Sequence, residues 1–261
     1  MSDHPLKIAF LSPHREHMGD TRSIPILAKG LAELGHSVDL LQAWQEWGHV
    51  DFSSDDSDVS VVSLRTRWFA PVLPNIAKIS KWASYRVSMA VLFFAMIPGL
   101  VWYLYRTKPD IIVVRMLTGP TIIIVKLLRF RTKVLVSVGG MPRRSTFRNI
   151  LWPLVYGRAD GFIASAHGVA DMVGQISEVD VKTIDVFWDP VLDDEMLAAA
   201  QGQTNHEWFN DGGAPVVMSL GRLTRQKDFT TPLRAFAEAI NDNAGIKTSS
   251  PLEIPITLRA I

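Results

Sequence analysis

The feature that most limits what this chain can fold into is an alternation. Seven short, β-rich apolar runs recur along its first 190 residues, with helical stretches between most of them. The runs lie at Ile8 to Ser12, Ser37 to Ala43, Val59 to Leu64, Ile111 to Arg115, Lys133 to Val138, Gly161 to Ala164 and Val181 to Val186. Helical patterns are predicted over Ser23 to Leu34, Ile76 to Arg106, Pro120 to Phe130, Thr146 to Tyr156 and Gly168 to Ile176. Strand and helix in turn bury both faces of a parallel sheet, so the expected fold is α/β, a Rossmann-like doubly wound domain. Gly35, just after the first helical run, is a helix stop.

A second unit is expected from about Pro215, after the polar, Gly-rich stretch Gln201 to Gly213. It begins with a strand over Val216 to Leu220 and a helix over Thr230 to Ile240. The stretch beyond Asn241 shows neither period, and one strand and one helix cannot close such a domain. The expected organisation is therefore residues 1–200 as a first domain, 201–214 as linker, 215–240 as the truncated start of a second domain and 241–261 as an atypical tail.

Composition removes several chemistries. The 261 residues contain no cysteine, which excludes disulfides, thiolate metal sites and cysteine nucleophiles. The apolar run after Lys7 is too short for the core of a secretory signal. The net charge of +1 conceals a sorting along the chain. Between Arg65 and Arg158, 16 Lys and Arg face one acid, Asp110, a net of +15, whereas the remainder carries 11 basic and 25 acidic residues. A segment so biased favours an anionic partner such as phosphates or lipid headgroups. No nucleic-acid partner is expected.

Val87 to Tyr105 runs for nineteen residues without a charge, long enough to cross a bilayer. Pro98 and Gly99 interrupt it, and it falls between two strands expected in one sheet, which a crossing would pull apart. The expectation is a buried or interfacial helix. Trp68, Phe69, Trp82, Tyr85, Trp102, Tyr103 and Tyr105 near its ends suit either an interfacial belt or an edge of the core. An integral membrane protein anchored by this stretch is the least favoured alternative.

Three loops at strand ends carry candidate chemistry. The first, Ser12 to Asp20, precedes a helix and includes Gly19, Asp20 and Thr21; one glycine in place of three spaced ones argues against a nicotinamide site. His14 and His17 in this loop make a poor metal site without a third ligand, and no metal is expected. The second holds Gly139 and Gly140, which allow close backbone approach, followed by Arg143 and Arg144, which can hold an acceptor phosphate. The third, Ser219 to Asp228, places Arg222 and Lys227 five residues apart between a strand and a helix, where two cations can converge on a diphosphate. The alternative for each loop is an ordinary solvated surface.

The stretch SLGRLTRQKDFTTPLRAFAEA resembles the opening of the donor domain in retaining GT-B glycosyltransferases of family 4. KIAFLSPHREHMGDTRSIPILAKGLAELGHSVDLL is similar to that family's first strand, loop, helix and second strand. SVGGMPRRSTFRNILWPLVYGRADGFIASAHGVADMV and VFWDPVLDDEM resemble the segments before and into its interdomain linker. The resemblance implies that Arg222 and Lys227 hold the diphosphate of a nucleotide sugar, where charge develops on the leaving oxygen. It implies retention at the anomeric carbon and no obligatory metal or other cofactor. The acceptor loops are then Gly19, Asp20, Thr21, Gly139, Gly140, Arg143 and Arg144.

Four positions depart from the family's pattern. Gly139 stands where a histidine is common, Asp189 where an asparagine precedes the proline, and Asp228 where a glycine is usual. A histidine frequent near the end of the strand Ile111 to Arg115 has no equivalent, so no catalytic side chain is assigned. The donor domain's pair of glutamates is expected beyond Ile261. The implied activity is sugar transfer from a nucleotide sugar to a glycan or lipid-linked acceptor, by a cytoplasmic enzyme peripheral on the inner face of the membrane. The alternative is an inactive acceptor-domain fragment that binds membrane or glycan without turnover.

Overall fold

A computed structural model describes residues 4–14, 19–48, 58–64, 81–140, 152–202, 219, 221 and 227–242. The chain forms two compact units, Met1–Leu197 and Ala198–Ile261.

The first unit is built on seven parallel strands: β1 (Lys7–Leu11), β2 (Ser37–Gln42), β3 (Val59–Ser63), β4 (Ile111–Val114), β5 (Lys133–Val138), β6 (Gly161–Ala164) and β7 (Ile184–Val186). Their order in the sheet is β3-β2-β1-β4-β5-β6-β7, and every neighbouring pair is parallel. The helices are α1 (Asp20–Glu33), α2 (Lys81–Thr107), α3 (Thr118–Leu127), α4 (His167–Ser177) and α5 (Asp194–Ala200). The α/β doubly wound architecture expected from the alternation is thus present, with the chain reversing its winding between β1 and β4.

Because strand side chains alternate between faces, two clusters form. On one face Ala9, Leu11, Ile112, Val114, Val134, Val136, Phe162 and Ala164 meet α2, α3 and α4 through Leu92, Met96, Leu100, Ile122, Val125 and Val173. On the other face Ile8, Phe10, Val38 and Leu40 pack against Ile24 and Ala28 of α1. Each fully buried aliphatic side chain here contributes about 1.5–3 kcal/mol, so several together are needed to offset the about 1–2 kcal/mol per residue that ordering a strand costs.

Loop chemistry sets where helices stop. Gly35, at φ +87°, lets its own N–H reach the carbonyl of Ala32 (2.8 Å) and that of His36 reach Leu31 (3.1 Å), the double bond that closes a Schellman end. The same pair of bonds ends α3 through Arg129, at φ +54°.

Helix α2 is continuous through Pro98 and Gly99, contrary to the interruption expected there. The reason is a close approach: a Cβ on Gly99 would lie 2.0 Å from the carbonyl oxygen of Leu64, so the glycine admits the strand end rather than breaking the helix. Leu92, Met96, Leu100, Tyr103 and Leu104 form its buried stripe, and Phe94, Trp102 and Tyr105 stand exposed on the opposite side. Tyr103 donates to Asp39 on β2 at 2.5 Å. By length and composition Ala90–Thr107 could cross a membrane, at a mean hydropathy of 1.4. Leu92, Met96, Leu100 and Leu104 are nevertheless fully buried within the unit.

Two further expectations shift. Val181–Thr183 is a 3-10 turn rather than the start of a strand, because the Asp180 carboxylate takes the N–H of Lys182 and the Asp180 carbonyl that of Thr183. Helix α5 falls where no element was expected. Of the helix expected over 146–156, residues 152–156 are described and are helical. In the second unit α6 (Thr230–Asp242) is present. The strand expected over Val216 to Leu220 lies outside the described residues except for Ser219, and the tail from residue 243 lies outside them altogether.

Candidate functional site

In open α/β sheets ligands bind beyond the carboxyl ends of the strands, where the winding reverses. Here that crevice lies beyond β1 and β4, and the residues leaving the neighbouring strands converge on it.

After β1, Ser12 and His14 are buried, and His14 Nδ1 meets the carbonyl of Ser12 at 2.6 Å. The His14 ring lies edge-on to Trp47, 6.0 Å between centroids, and Trp47 donates to the carbonyl of Leu41. Glu46 is 3% exposed and accepts the N–H of Trp44 at 2.7 Å. Burial pushes its carboxyl up from the ordinary value, opposed by hydrogen bonds from the backbone of Trp44, Glu46, His14 and Ala43. The loops after β1 and β2 are therefore fastened together at this end.

After β4 comes Arg115, followed by Leu117 in the left-handed region at φ +54°, which turns the chain into α3. The Arg115 guanidinium forms a two-pronged bond with Asp189: Nη1 donates to Oδ1 at 2.8 Å, and Nη2 to Oδ2. Arg115 is 10% exposed and Asp189 32%. Gly139 lies under the guanidinium, where a Cβ would come within 2.3 Å of Nη2. Asp193, further along the segment after β7, pairs with Arg22 on α1 at 3.3 Å and caps α5 by accepting the N–H of Met196. The Met196 bond, and then the Arg22 charge, hold its carboxyl below the ordinary value.

The sheet face that bears Ile8 and Phe10 is covered by α1 near β1 and β2. Toward β4, β5, β6 and β7 it borders a cavity of about 210 Å³. Leu135, Ile163 and Phe187 line it, and Arg115, Ser137, Ser165 and Asp189 supply its polar groups.

Of the residues expected in this site, Gly19 is the N-cap of α1, its carbonyl accepting from the N–H groups of Arg22 and Ser23. Asp20 opens α1, and Thr21 is buried in its first turn. Gly139 and Gly140 follow β5 at the carboxyl edge, with open space above Gly140. Arg143 and Arg144 lie outside the described residues. Arg115 and Asp189 were not among the expected site residues. Asp189 entered only as a departure from a family pattern and Arg115 only as the end of a strand.

In the second unit Arg222 lies outside the described residues, while Lys227 is exposed. The aliphatic stem of Lys227 folds over Gly221, with Cγ and Cδ 3.4 Å from where a Cβ would stand. Asp228 is left-handed, at φ +42°, and accepts from the hydroxyl of Thr231 at 2.7 Å in the first turn of α6. That conformation favours glycine, which accounts for a glycine being usual at this position in the family the sequence resembles. Here an aspartate adopts it, its carbonyl accepting the N–H of Thr231.

No protein-family profile and no curated protein matches this chain. Among solved structures it is similar to a glycosyltransferase from Rickettsia africae ESF-5, at 16% identity and a TM-score of 0.49, covering 75% of this chain and 48% of that one. It is also similar to the lipopolysaccharide outer core galactosyltransferase WaaB in its apo form, at 12% identity and a TM-score of 0.46, covering 71% and 46%. A third is Anabaena Alr3699/HepE in complex with UDP-glucose, at 10% identity and a TM-score of 0.44, covering 75% and 49%. The chain spans about half the length of each, and likeness at this level assigns no role to any residue here.

Proposed function

We propose that this chain is the acceptor-side domain and the opening of the donor domain of a GT-B glycosyltransferase, of the retaining family 4 type. The whole enzyme would transfer a sugar from a nucleotide sugar to a glycan or lipid-linked acceptor without an obligatory metal. The observation that carries the reading is the loop before α6. Lys227 closes back over Gly221, and left-handed Asp228 follows it, within the sequence that resembles the family's diphosphate loop. Lys227 packs against Gly221, and Arg222 is the next residue in sequence, so that an ammonium and a planar guanidinium are proposed to share one diphosphate.

Calorimetric titration with UDP, GDP and their sugar conjugates, on the longer chain that carries a whole donor domain, tests this. One nucleotide series is expected to bind, and Lys227→Ala and Arg222→Ala each to weaken it about tenfold, the size of one charge-assisted bond. Binding that ignores both substitutions, or no binding to any nucleotide, would overturn the reading. Binding of glycan without any turnover would favour the inactive-fragment alternative.

The proposed setting is cytoplasmic, on the inner face of the membrane. Phe94, Trp102 and Tyr105 stand exposed along α2, inside the basic segment from Arg65 to Arg158, with Arg106 over the Trp102 ring at 5.3 Å. Aromatic residues beside cations suit an anionic lipid surface. Co-sedimentation with phosphatidylglycerol vesicles is expected, declining as salt rises and reduced by Trp102→Ser with Phe94→Ser. Equal binding to neutral phosphatidylcholine vesicles would contradict it.

A further inference from the structure

Arg115, Gly139 and Asp189 leave three different strands. Arg115 directly follows β4, Gly139 directly follows β5, and Asp189 lies three residues beyond β7, so the ion pair spans β5 and β6. The guanidinium as placed lies directly over residue 139: a Cβ there would meet Nη2 at 2.3 Å and both Cζ and Nε at 2.9 Å, so a side chain at this position would displace it. The three residues are one interlocked feature.

A structural clamp alone would account for the pair, but its exposure is uneven. Arg115 is nearly enclosed, whereas Asp189 is one-third exposed. A carboxylate has about four acceptor positions, and among the described residues Asp189 accepts the two bonds from Arg115. Its remaining capacity is held in a fixed orientation by a planar fork, with little entropy left to lose on binding. Ser137 and Ser165 border the same cavity, and Phe187 adds an apolar wall. Trp188 beside it is exposed. The cavity is lined mostly by apolar side chains, with Arg115, Ser137, Ser165 and Asp189 as its polar groups. A rigid ring that lays C–H faces on the apolar wall and turns a few hydroxyl donors toward those groups fits it.

We propose that Asp189, held by Arg115 over Gly139, binds the hydroxyl groups of a saccharide at the carboxyl edge of the sheet, with Arg115 as its positioning residue. This deepens the glycosyl-transfer reading and rests on it for the choice of a saccharide. Asp189 accepts from one or two ring hydroxyls, the serine hydroxyls bond to others, and Phe187 covers a C–H face.

The test is NMR titration of this chain with methyl α-glucoside, galactoside and mannoside, following the Arg115 Nε–H and Gly139 amide signals, and in parallel UDP titration of the longer chain that carries a whole donor domain. At least one glycoside is expected to shift both signals saturably. Asp189→Asn is expected to weaken that glycoside about tenfold, the loss of a hydrogen bond to a charged group. Arg115→Lys, which keeps the charge and loses the fork, is expected to weaken it while leaving UDP affinity unchanged. If UDP binds and no glycoside moves either signal, the inference fails and the glycosyl-transfer reading stands. If a glycoside binds there and no nucleotide binds, the donor reading fails and the saccharide site stands. Glycoside affinity indifferent to Asp189→Asn overturns the inference regardless of how the variants fold, since wild-type titration already locates the ligand.

Discussion

The two ends of the same sheet use their carboxylates differently. At the amino end Asp110 accepts the N–H of Lys7 at 2.8 Å, joining β4 to β1. Asp160 accepts both the N–H of Val134 at 2.7 Å and the Lys126 ammonium at 2.6 Å. Those acids satisfy strand N–H groups that have no ladder partner at the sheet's edge. At the carboxyl end Glu46 and Asp193 likewise accept backbone N–H groups, whereas Asp189 takes both its bonds from one guanidinium and lies beside a cavity. The contrast separates acids that hold the sheet together from one placed to meet a ligand.

The largest expected effect comes from breaking the carboxyl-end pair. Arg115→Met leaves the Asp189 carboxylate without its partner and should cost about 2–3 kcal/mol, below the full penalty for a wholly buried pair because Asp189 is one-third exposed. At the amino end Asp160→Ala strands one part-buried N–H and should cost about 1–2 kcal/mol. Urea denaturation measures both. The comparison sharpens on function, since Arg115→Met should also abolish the glycoside-induced shifts, whereas Asp160→Ala should leave them intact. Equal loss of those shifts in the two variants would mean that both ends are merely structural.

Much of this architecture is legible in the sequence. Six of the seven strands begin and end within a residue of the apolar runs, and β7 ends where expected but starts late, because Asp180 diverts Val181–Thr183 into a 3-10 turn. A side chain that competes for backbone N–H groups is a local effect that apolar periodicity does not register. Pro98 and Gly99 misled for another reason: they read as a break, but the glycine answers to Leu64, a residue far away in sequence. The Arg115–Asp189 pair was hidden in the same way, because 74 residues separate its partners. A signal did exist, since Gly139 and Asp189 departed together from the resembled pattern while Arg115 closed the strand where a histidine is frequent. Three unusual residues at three strand ends of one sheet share an edge, and so can depend on one another.

Glu46 offers the smallest effect and the finest test of how this end is fastened. Its burial raises the folded-state pKa above that of the unfolded chain, so the folded state retains a proton that the unfolded state has already released. Stability from this group is then fully present below the unfolded pKa and is lost as pH rises through the folded value. The groups around it are the backbone N–H donors of Ala43, Trp44 and His14, with the His14 ring against neighbouring Trp47. Glu46→Gln removes the titration while keeping a carbonyl oxygen for the Trp44 N–H. Thermal midpoints measured from about pH 5 to about pH 8 should fall less steeply with pH in the variant than in the parent chain. Parallel curves would show that Glu46 is ionised in the folded chain throughout this range, and that the loops after β1 and β2 are joined by a carboxylate rather than by a neutral acid.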